Sequence, residues 1–286
     1  MYVYRQTIDF KDGERTVTPE AQEKAAQEKL DRFFAGFASA SRPVLLLDYD
    51  GTLSAFRVDR FTARPYAGVR EALTSIQRQG RTRMAVITGR PAHEIAPLLG
   101  LDPPLEAWGL HGAERLYPDG RRELEQASAD TQARLEELKQ KLRRDALGGL
   151  FEDKANGAVM HWRGKPHKVA QHIERRTRAL FEPLAQLDGL SLLDFEAGLE
   201  LRVGRVKGGA VAAILAEESP TSPVAFLGDD LSDEAAFQVV RPLGDRGLSA
   251  LVRPAWRETD AEIWLRPPQE VLSFLVRWAK SLETAR

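Results

Sequence analysis

The chain has 286 residues, of which 43% are apolar and 29% are charged, and its formal net charge is −1. This composition is typical of a globular protein with one large domain or two modest ones. No dense Lys/Arg run is present, which argues against DNA or RNA as a partner, and the absence of cysteine excludes disulfides and thiol chemistry. No stretch resembles a signal peptide or a membrane span, so we expect a cytoplasmic protein without a membrane partner.

Apolar runs and helical periodicity alternate in the first and last thirds of the chain. The first third predicts, in order, a helix over 19–38, the strand VLLLDYD, a helix over Val69–Gln79, the strand MAVITG, a helix near Pro91–Leu99 and the strand-like LEAWGLHG. The last third predicts the strand PVAFLGDD, the helix LSDEAAFQVV, and the short strands SALVRP and EIWLRP. Continuously apolar strands that alternate with helices predict a doubly wound, mostly parallel α/β sheet.

The middle of the chain has a different pattern. A polar helix is predicted over 128–145 and a second helix over 167–187, with FEDK and GAVMHWR between them and a hairpin of SLLDF and LELRV after them. Two helices with short alternating strands predict a small α+β domain inserted into the larger one. We expect the junctions near Gly112–Pro118 and Gly204–Lys207. Residues 1–115 and 205–286 would then form the core, and residues 116–204 the insertion.

The first apolar strand ends in two acids, in the stretch PVLLLDYDGTL. Residues i and i+2 of a strand face the same side, so Asp48 and Asp50 project together where the strand leaves the sheet. Burying two neighbouring carboxylates is costly unless something positive lies beside them. A turn or helix cap accounts for a single acid followed by Gly51. Open α/β sheets, however, bind ligands at this edge, and a bound cation is the other explanation.

Other strand and helix ends carry matching chemistry. They are Thr88 and Arg90 in ITGR, Lys207 in VKGGA, and Asp229, Asp230 and Asp233 in GDDLSDE. Carboxylates are ligands that Mg²⁺ prefers, and this ion commonly contacts a substrate phosphate. A hydroxyl and a lysine suit phosphate oxygens. The sequence therefore predicts a site for Mg²⁺ and a phosphate, in which cation and anion together make the two acids of the first strand tolerable.

Taken in order, DYDGT, the Thr of ITGR, the Lys of VKGG and GDDLSDE resemble the four motifs of the haloacid dehalogenase-like phosphatases. The insertion resembles the α/β cap of the sugar phosphatases in that superfamily. The resemblance implies that Asp48 is a nucleophile that forms an aspartyl phosphate and that Asp50 is the general acid and base. It also implies that Thr88 and Lys207 bind the phosphoryl oxygens. The implied Mg²⁺ ligands are the Asp48 carboxylate, the Asp50 carbonyl, Asp229, and Asp233 either directly or through a water.

Four further segments resemble the trehalose-6-phosphate phosphatases. They are GLHGAE at 109–114, EDK at 152–154, HWR at 161–163 and GLELR at 198–202. The implied substrate is trehalose 6-phosphate, a small-molecule sugar phosphate. The residues that this resemblance and the strand ends predict for substrate binding are Arg90, His111, Gly112, Lys154, His161, Arg163 and Glu200. Trp162 stands where Tyr is common, and Val203-Gly204-Arg205 stand where Pro often follows; both differences lie in the cap and bear on substrate choice.

Other functions stay open at this point. The same reaction could act on a glucosylglycerol-, mannosylglycerate- or sucrose-type phosphate. A non-catalytic sugar-phosphate sensor is disfavoured because every acid needed for turnover is present, and a phospho-accepting response regulator would lack both the cap and the second acid of DYD. Apart from the resemblance, Glu200 with Arg202 and His161 with Arg163 are typical of solvated strand surfaces.

Overall fold

In the computed structural model, the described residues are 19–39, 42–57, 59–144, 148–154, 156–195 and 197–284. The strands in chain order are β1 Val44–Leu47, β2 Arg83–Ile87, β3 Glu106–Gly109, β4 Glu114–Leu116, β5 Arg122–Leu124, β6 Phe151–Lys154, β7 Gly157–His161, β8 Leu190–Phe195, β9 Gly198–Val203, β10 Val224–Gly228, β11 Gly247–Val252 and β12 Ile263–Leu265. The α-helices are α1 Pro19–Ala35, α2 Val69–Arg78, α3 Ile95–Leu99, α4 Ala129–Arg144, α5 His167–Phe181, α6 Lys207–Ala216, α7 Glu234–Val240 and α8 Gln269–Thr284.

Among the described residues, eight strands form one large sheet in the order β12, β11, β10, β1, β2, β3, β4, β5. The strands from β12 to β3 are parallel, and β4 and β5 continue the sheet in antiparallel pairing. Strand β1 lies near the middle, where Val44 pairs with Val224 on one side and Arg83 on the other. The doubly wound α/β class predicted from the sequence is confirmed.

The strand β1 is buried along its whole length because helices cover both faces of the large sheet. Leu45 and Leu47 belong to the apolar cluster that includes residues of α1, α2, α3 and α8, among them the fully buried Trp278. Val44 and Leu46 point the other way, into the cluster with α6 and α7. The apolar burial on both faces holds the strand rigidly and fixes where its carboxyl end emerges.

A second sheet, with strand order β6, β7, β9, β8, is antiparallel throughout. One of its faces packs against α4 and α5 through Ala158, Met160, Leu199 and Leu201. We call this sheet with its two helices the cap. Helix α5 ends at Phe181, earlier than the predicted residue 187, because Pro183 has no N–H to continue the helical hydrogen bonds.

The sheet pairing differs from the predicted extent of the insertion at one end. Strands β4 and β5, which span 114–124, pair with β3 in the large sheet, whereas the sequence analysis assigned residues from 116 onward to the insertion. At Gly204, in the second predicted junction, the backbone has φ +92°. The division of the chain into two domains stays a prediction. None of the described helices is both long and apolar enough to cross a membrane.

The two connections between the large sheet and the cap lie side by side. The Glu125 carboxylate accepts a hydrogen bond from the Arg205 backbone N–H at 2.6 Å and also pairs with the Arg205 guanidinium. At Gly204 a Cβ atom would come within 2.4 Å of the Ala113 side chain. The segments that enter and leave the cap are therefore packed against each other and joined by the Glu125–Arg205 ion pair.

Candidate active site

Lys207 lies at the centre of the candidate site. It begins helix α6, and its ammonium donates to Asp48 Oδ1 and to Asp233 Oδ1, both at 2.7 Å. All three side chains are buried. Burial by itself would lower the pKa of Lys207, but Asp233 and Asp48 outweigh it and raise the pKa. The lysine therefore stays charged and fixes the end of β1 relative to the turn after β10.

Asp48, Asp229 and Asp233 offer carboxylate oxygens that all lie within 4.8 Å of one another. Burial raises the pKa of Asp48 despite the nearby Lys207. Burial and the Asp48 charge likewise raise the pKa of Asp229. One lysine does not balance three buried acids, and a hard oxygen-ligand set of this kind fits a divalent cation such as Mg²⁺. Both oxygens of Asp48 and both oxygens of Asp233 already accept hydrogen bonds, whereas the Asp229 carboxylate accepts none from the described residues and is the best-placed ligand of the three.

Position 51 requires glycine, because Asp229 fills the space that a side chain would occupy. A Cβ atom built on Gly51 would lie 2.1 Å from Asp229 Oδ2, and the backbone there has φ +84°. Only glycine satisfies both the left-handed turn and the close approach. Next to it, the Thr52 hydroxyl donates to Asp48 Oδ2 at 3.3 Å. The DYDGT segment thus folds tightly around the carboxylates.

The Asp50 carboxylate is turned toward Arg90. The guanidinium donates from Nε to Oδ2 at 2.5 Å and from Nη2 to Oδ1 at 2.7 Å. Arg90 is itself held by the Arg60 carbonyl at 2.8 Å and lies beside the buried Glu94. Arg90 is predicted from the sequence to bind substrate, and in the structure its closest partner is the candidate general acid.

Thr88 and His111 lie at the ends of the next two strands, β2 and β3. Thr88 is buried, and its hydroxyl accepts the Arg90 backbone N–H at 3.2 Å. His111 has φ +59°, an uncommon conformation for a residue with a side chain. Its Nε2 lies 2.8 Å from the position that a Gly89 Cβ would occupy, and its buried Nδ1 has no hydrogen-bond partner in the part of the chain that the structure describes. Burial, and then Lys207, Arg202 and Lys154, hold the pKa of His111 well below its usual range.

The cap presents its helix-free face to this site. On β7 and β9, residues alternate between the apolar cluster under the helices and the opposite face, so Val159, Glu200 and Arg202 point away from the helices. Lys154 and Arg202 are close enough to His111 to affect its pKa. The edge strand β8 contacts the turn Leu231–Asp233 of the large sheet's ligand edge. The cap therefore lies over the carboxylates.

The predicted cap residues occupy the site-facing side of β6, β7 and β9. Lys154 donates to Glu200 Oε2 at 3.0 Å, and His161 Nε2 lies 2.8 Å from Glu152 Oε2. Arg163 lies beyond the end of β7 in an exposed turn. Their contacts with substrate stay a prediction.

The structure explains why position 112 is glycine, and it adds Glu152 and Arg202 to the residues on the site-facing side of the cap. A Cβ at Gly112 would meet Ala210 at 2.9 Å, so close packing against α6 requires glycine there. Glu152 and Arg202 were not selected in the sequence analysis, although both lie on the site-facing side of the cap. The two-residue spacing from Lys154 and from Glu200 was the signal that could have identified them.

The four motif segments lie together at one edge of the large sheet, and comparison with known proteins agrees with this geometry. The family model described as trehalose-phosphatase matches residues 46–263. The chain belongs to the trehalose-phosphatase family. It is 32% identical to the trehalose-phosphate phosphatase of Mycobacterium marinum over 257 residues and 31% identical to that of Mycobacterium ulcerans. Each alignment covers 85% of this chain and 63% of the relative, so this family member spans under two thirds of those relatives' length.

Solved structures of the family share the fold. The trehalose-6-phosphate phosphatase of Aspergillus fumigatus superimposes with a TM-score of 0.72 at 23% identity, covering 88% of this chain and 97% of that one. The C-terminal domain of the Candida albicans trehalose-6-phosphate phosphatase gives a TM-score of 0.64 at 20% identity, with 88% and 96% covered. A haloacid dehalogenase-like hydrolase from B. subtilis gives 0.56 at 16% identity, with 81% and 98% covered. These likenesses show a haloacid dehalogenase-like fold.

Proposed function

We propose that this member of the trehalose-phosphatase family hydrolyses trehalose 6-phosphate to trehalose and phosphate, with Mg²⁺ as cofactor and an aspartyl phosphate as intermediate. The observation that carries the proposal is the contact of Lys207 with Asp48 and Asp233 beside Asp229. It joins a nucleophile, a fixed cation and a candidate metal site in one buried cluster. The choice of substrate is supported by family membership and by the relatives' names, which specify trehalose phosphate.

Asp48 is the nucleophile in the first step. One of its oxygens attacks phosphorus, the bond between phosphorus and the sugar oxygen breaks, and the electron pair stays on that oxygen. An alkoxide is a poor leaving group, so Asp50, in its protonated form, transfers a proton to it. Arg90 engages both oxygens of Asp50, so one of these two hydrogen bonds opens when an Asp50 oxygen carries the proton to the leaving group, and the other keeps the side chain oriented.

The second step regenerates the carboxylate. Asp50, now ionised, accepts a proton from water as the water oxygen attacks phosphorus, and the bond from phosphorus to Asp48 breaks. Lys207 opposes the rise in the Asp48 pKa that burial causes and so favours the ionised carboxylate, and the Thr88 hydroxyl donates a hydrogen bond to a phosphoryl oxygen. Mg²⁺, when held by Asp48, Asp229 and the Asp50 carbonyl, with Asp233 orienting them, would offset the charge of the phosphoryl oxygens.

The cap supplies substrate choice. The hydroxyl groups of the two sugar rings would be hydrogen-bonded by cap residues, namely Lys154, Glu200, His161 and Arg163. The phosphate side of the site would be bordered by Arg90, His111 and Gly112. A cap over the site also excludes water from the charged groups.

A phosphate-release screen with Mg²⁺ tests the proposal. Wild-type protein and Asp48→Asn are compared on trehalose 6-phosphate, sucrose 6-phosphate, glucosylglycerol phosphate, mannosylglycerate phosphate and glucose 6-phosphate. We expect the highest kcat/KM for trehalose 6-phosphate, and a loss of several orders of magnitude in Asp48→Asn with an unchanged circular dichroism spectrum. Preference for another glycosyl phosphate would overturn the substrate, and wild-type turnover by Asp48→Asn would overturn the mechanism.

A further inference from the structure

Arg202 is a buried cation that forms no ion pair of its own with any described residue. It lies on the central strand β9, between Gly157 of β7 and Ser191 of β8, on the cap face that looks toward the site. The residue is 9% exposed, and its Nε has no hydrogen-bond partner among the described residues. Burial lowers the pKa of the guanidinium, and the nearby Glu200 opposes that effect. A buried guanidinium that lacks a partner destabilises the protein unless a ligand completes it.

Three other cations near the site are already bound to carboxylates. Lys207 contacts Asp48 and Asp233, and Arg90 holds Asp50 through two parallel hydrogen bonds. Lys154 donates to Glu200, the acid nearest Arg202, so one carboxylate serves two cations. Within the described part of the cap face, the Lys154, Glu200 and Arg202 cluster therefore has a surplus positive charge.

The position and charge of Arg202 favour an anion as its ligand. Arg202 is close enough to His111 to lower its pKa. The His111 ring lies against Gly89, in the loop that also carries Thr88, the residue predicted to bind phosphate. Sugar hydroxyls are neutral and cannot offset a buried charge, whereas a phosphoryl group can. The planar guanidinium also matches two phosphate oxygens at once.

We propose that Arg202 donates to the phosphoryl oxygens of the substrate, so that the cap holds the phosphate directly. This inference rests on the proposed function and deepens it. The cap then has two tasks on different atoms: Arg202 contacts the transferred group of every substrate, while Lys154 and Glu200 contact the sugar. Inorganic phosphate, the product, binds to Arg202 in the same way and holds the cap against the large sheet.

The test measures phosphate binding separately from turnover. The full chain with Mg²⁺ is titrated with inorganic phosphate in a calorimeter, as wild type, Arg202→Gln, Arg202→Lys and Arg143→Gln. Arg143 is the matched control, because it lies on the cap but pairs with Asp153 on the helix side. We expect the Kd for phosphate to rise about 10- to 100-fold in Arg202→Gln, as for a lost hydrogen bond to a charged group. We expect a smaller rise in Arg202→Lys and none in Arg143→Gln.

Turnover supplies the second readout. The KM of Arg202→Gln should rise by a similar factor for trehalose 6-phosphate and for a small aryl phosphate. An unchanged Kd for inorganic phosphate in both Arg202 variants overturns the proposal, and a KM increase confined to the sugar phosphate would then assign Arg202 to the sugar. If Arg202→Gln does not fold, Arg202→Lys decides by the same Kd. If the wild type hydrolyses no sugar phosphate, the proposed function fails, and the phosphate Kd still judges Arg202.

Discussion

The Arg90 guanidinium holds the Asp50 carboxylate through two parallel hydrogen bonds of 2.5 and 2.7 Å. This contact joins the ITGR loop to the DYDGT loop, and it orients the residue that we propose as general acid. Arg90 is 7% exposed, so its own position is fixed by the surrounding backbone and Glu94. We therefore regard Arg90 as a positioning residue for Asp50.

The first prediction concerns this pair. Arg90→Lys keeps the positive charge but cannot form two parallel bonds. We expect kcat for trehalose 6-phosphate to fall about 10- to 100-fold, the usual contribution of a well-placed acid being larger still. An aryl phosphate with a good leaving group needs no proton, so its phosphorylation rate in single-turnover experiments should change little. Arg64→Lys, at an exposed arginine bound to the Pro97 carbonyl, is the control. Equal losses for both substrates would refute the positioning role.

Metal binding should stabilise the protein. Asp48 and Asp229 are buried near each other, and a cation between them offsets their repulsion. We expect saturating Mg²⁺ to raise the midpoint of thermal unfolding, with a gain of about 2.7 kcal/mol at 100 times Kd. EDTA should reverse the shift and abolish phosphate release. Asp229→Asn should remove most of the shift, and Asp260→Asn, at an exposed ion pair with Arg241, should retain it. A full shift in Asp229→Asn would contradict this metal site.

The pH dependence of stability should contain a contribution from His111. Its pKa in the folded protein lies below the usual value of about 6.5. Below pH 6.5 the unfolded chain therefore binds a proton that the folded protein does not. The free energy of unfolding should fall with decreasing pH by up to about 1.4 kcal/mol per pH unit from this group, until the folded pKa is reached. Urea unfolding of wild type and His111→Gln at pH 7.5, 6.5 and 5.5 measures the difference. Parallel pH profiles would show that His111 is not held neutral.

Substrate choice should depend on the Lys154–Glu200 pair. Lys154→Met and Glu200→Gln remove groups that face the site from the cap. We expect kcat/KM for trehalose 6-phosphate to fall about 10-fold or more, as for lost charged hydrogen bonds, and kcat/KM for an aryl phosphate to stay within about twofold. Lys141→Met, at an exposed lysine of α4, is the control. Parallel loss of both substrates, with a lower unfolding midpoint, would mean that the pair supports the fold of the cap.

The sequence by itself was sufficient for the parallel sheet and for the residues at its ligand edge. Asp48, Thr88 and Asp229 follow apolar runs of the length typical of buried strands, and parallel strands bring their carboxyl ends to the same edge. The family resemblance rested on these same local segments, and the family is confirmed. The position of these residues at the edge of the sheet follows from their place in one strand or turn, so no contact between distant segments was needed to predict it.

The tertiary structure alone decided how distant segments pair. Arg90 contacts Asp50 across forty positions of the chain, and β4 with β5 joins the large sheet because β3 offers them an open edge. Among the described residues Arg202 forms no ion pair of its own, while Lys154, from another strand, holds the nearby Glu200. Register, burial and competition between charges are properties of the assembled fold, since each depends on which residues of other segments come within hydrogen-bonding distance.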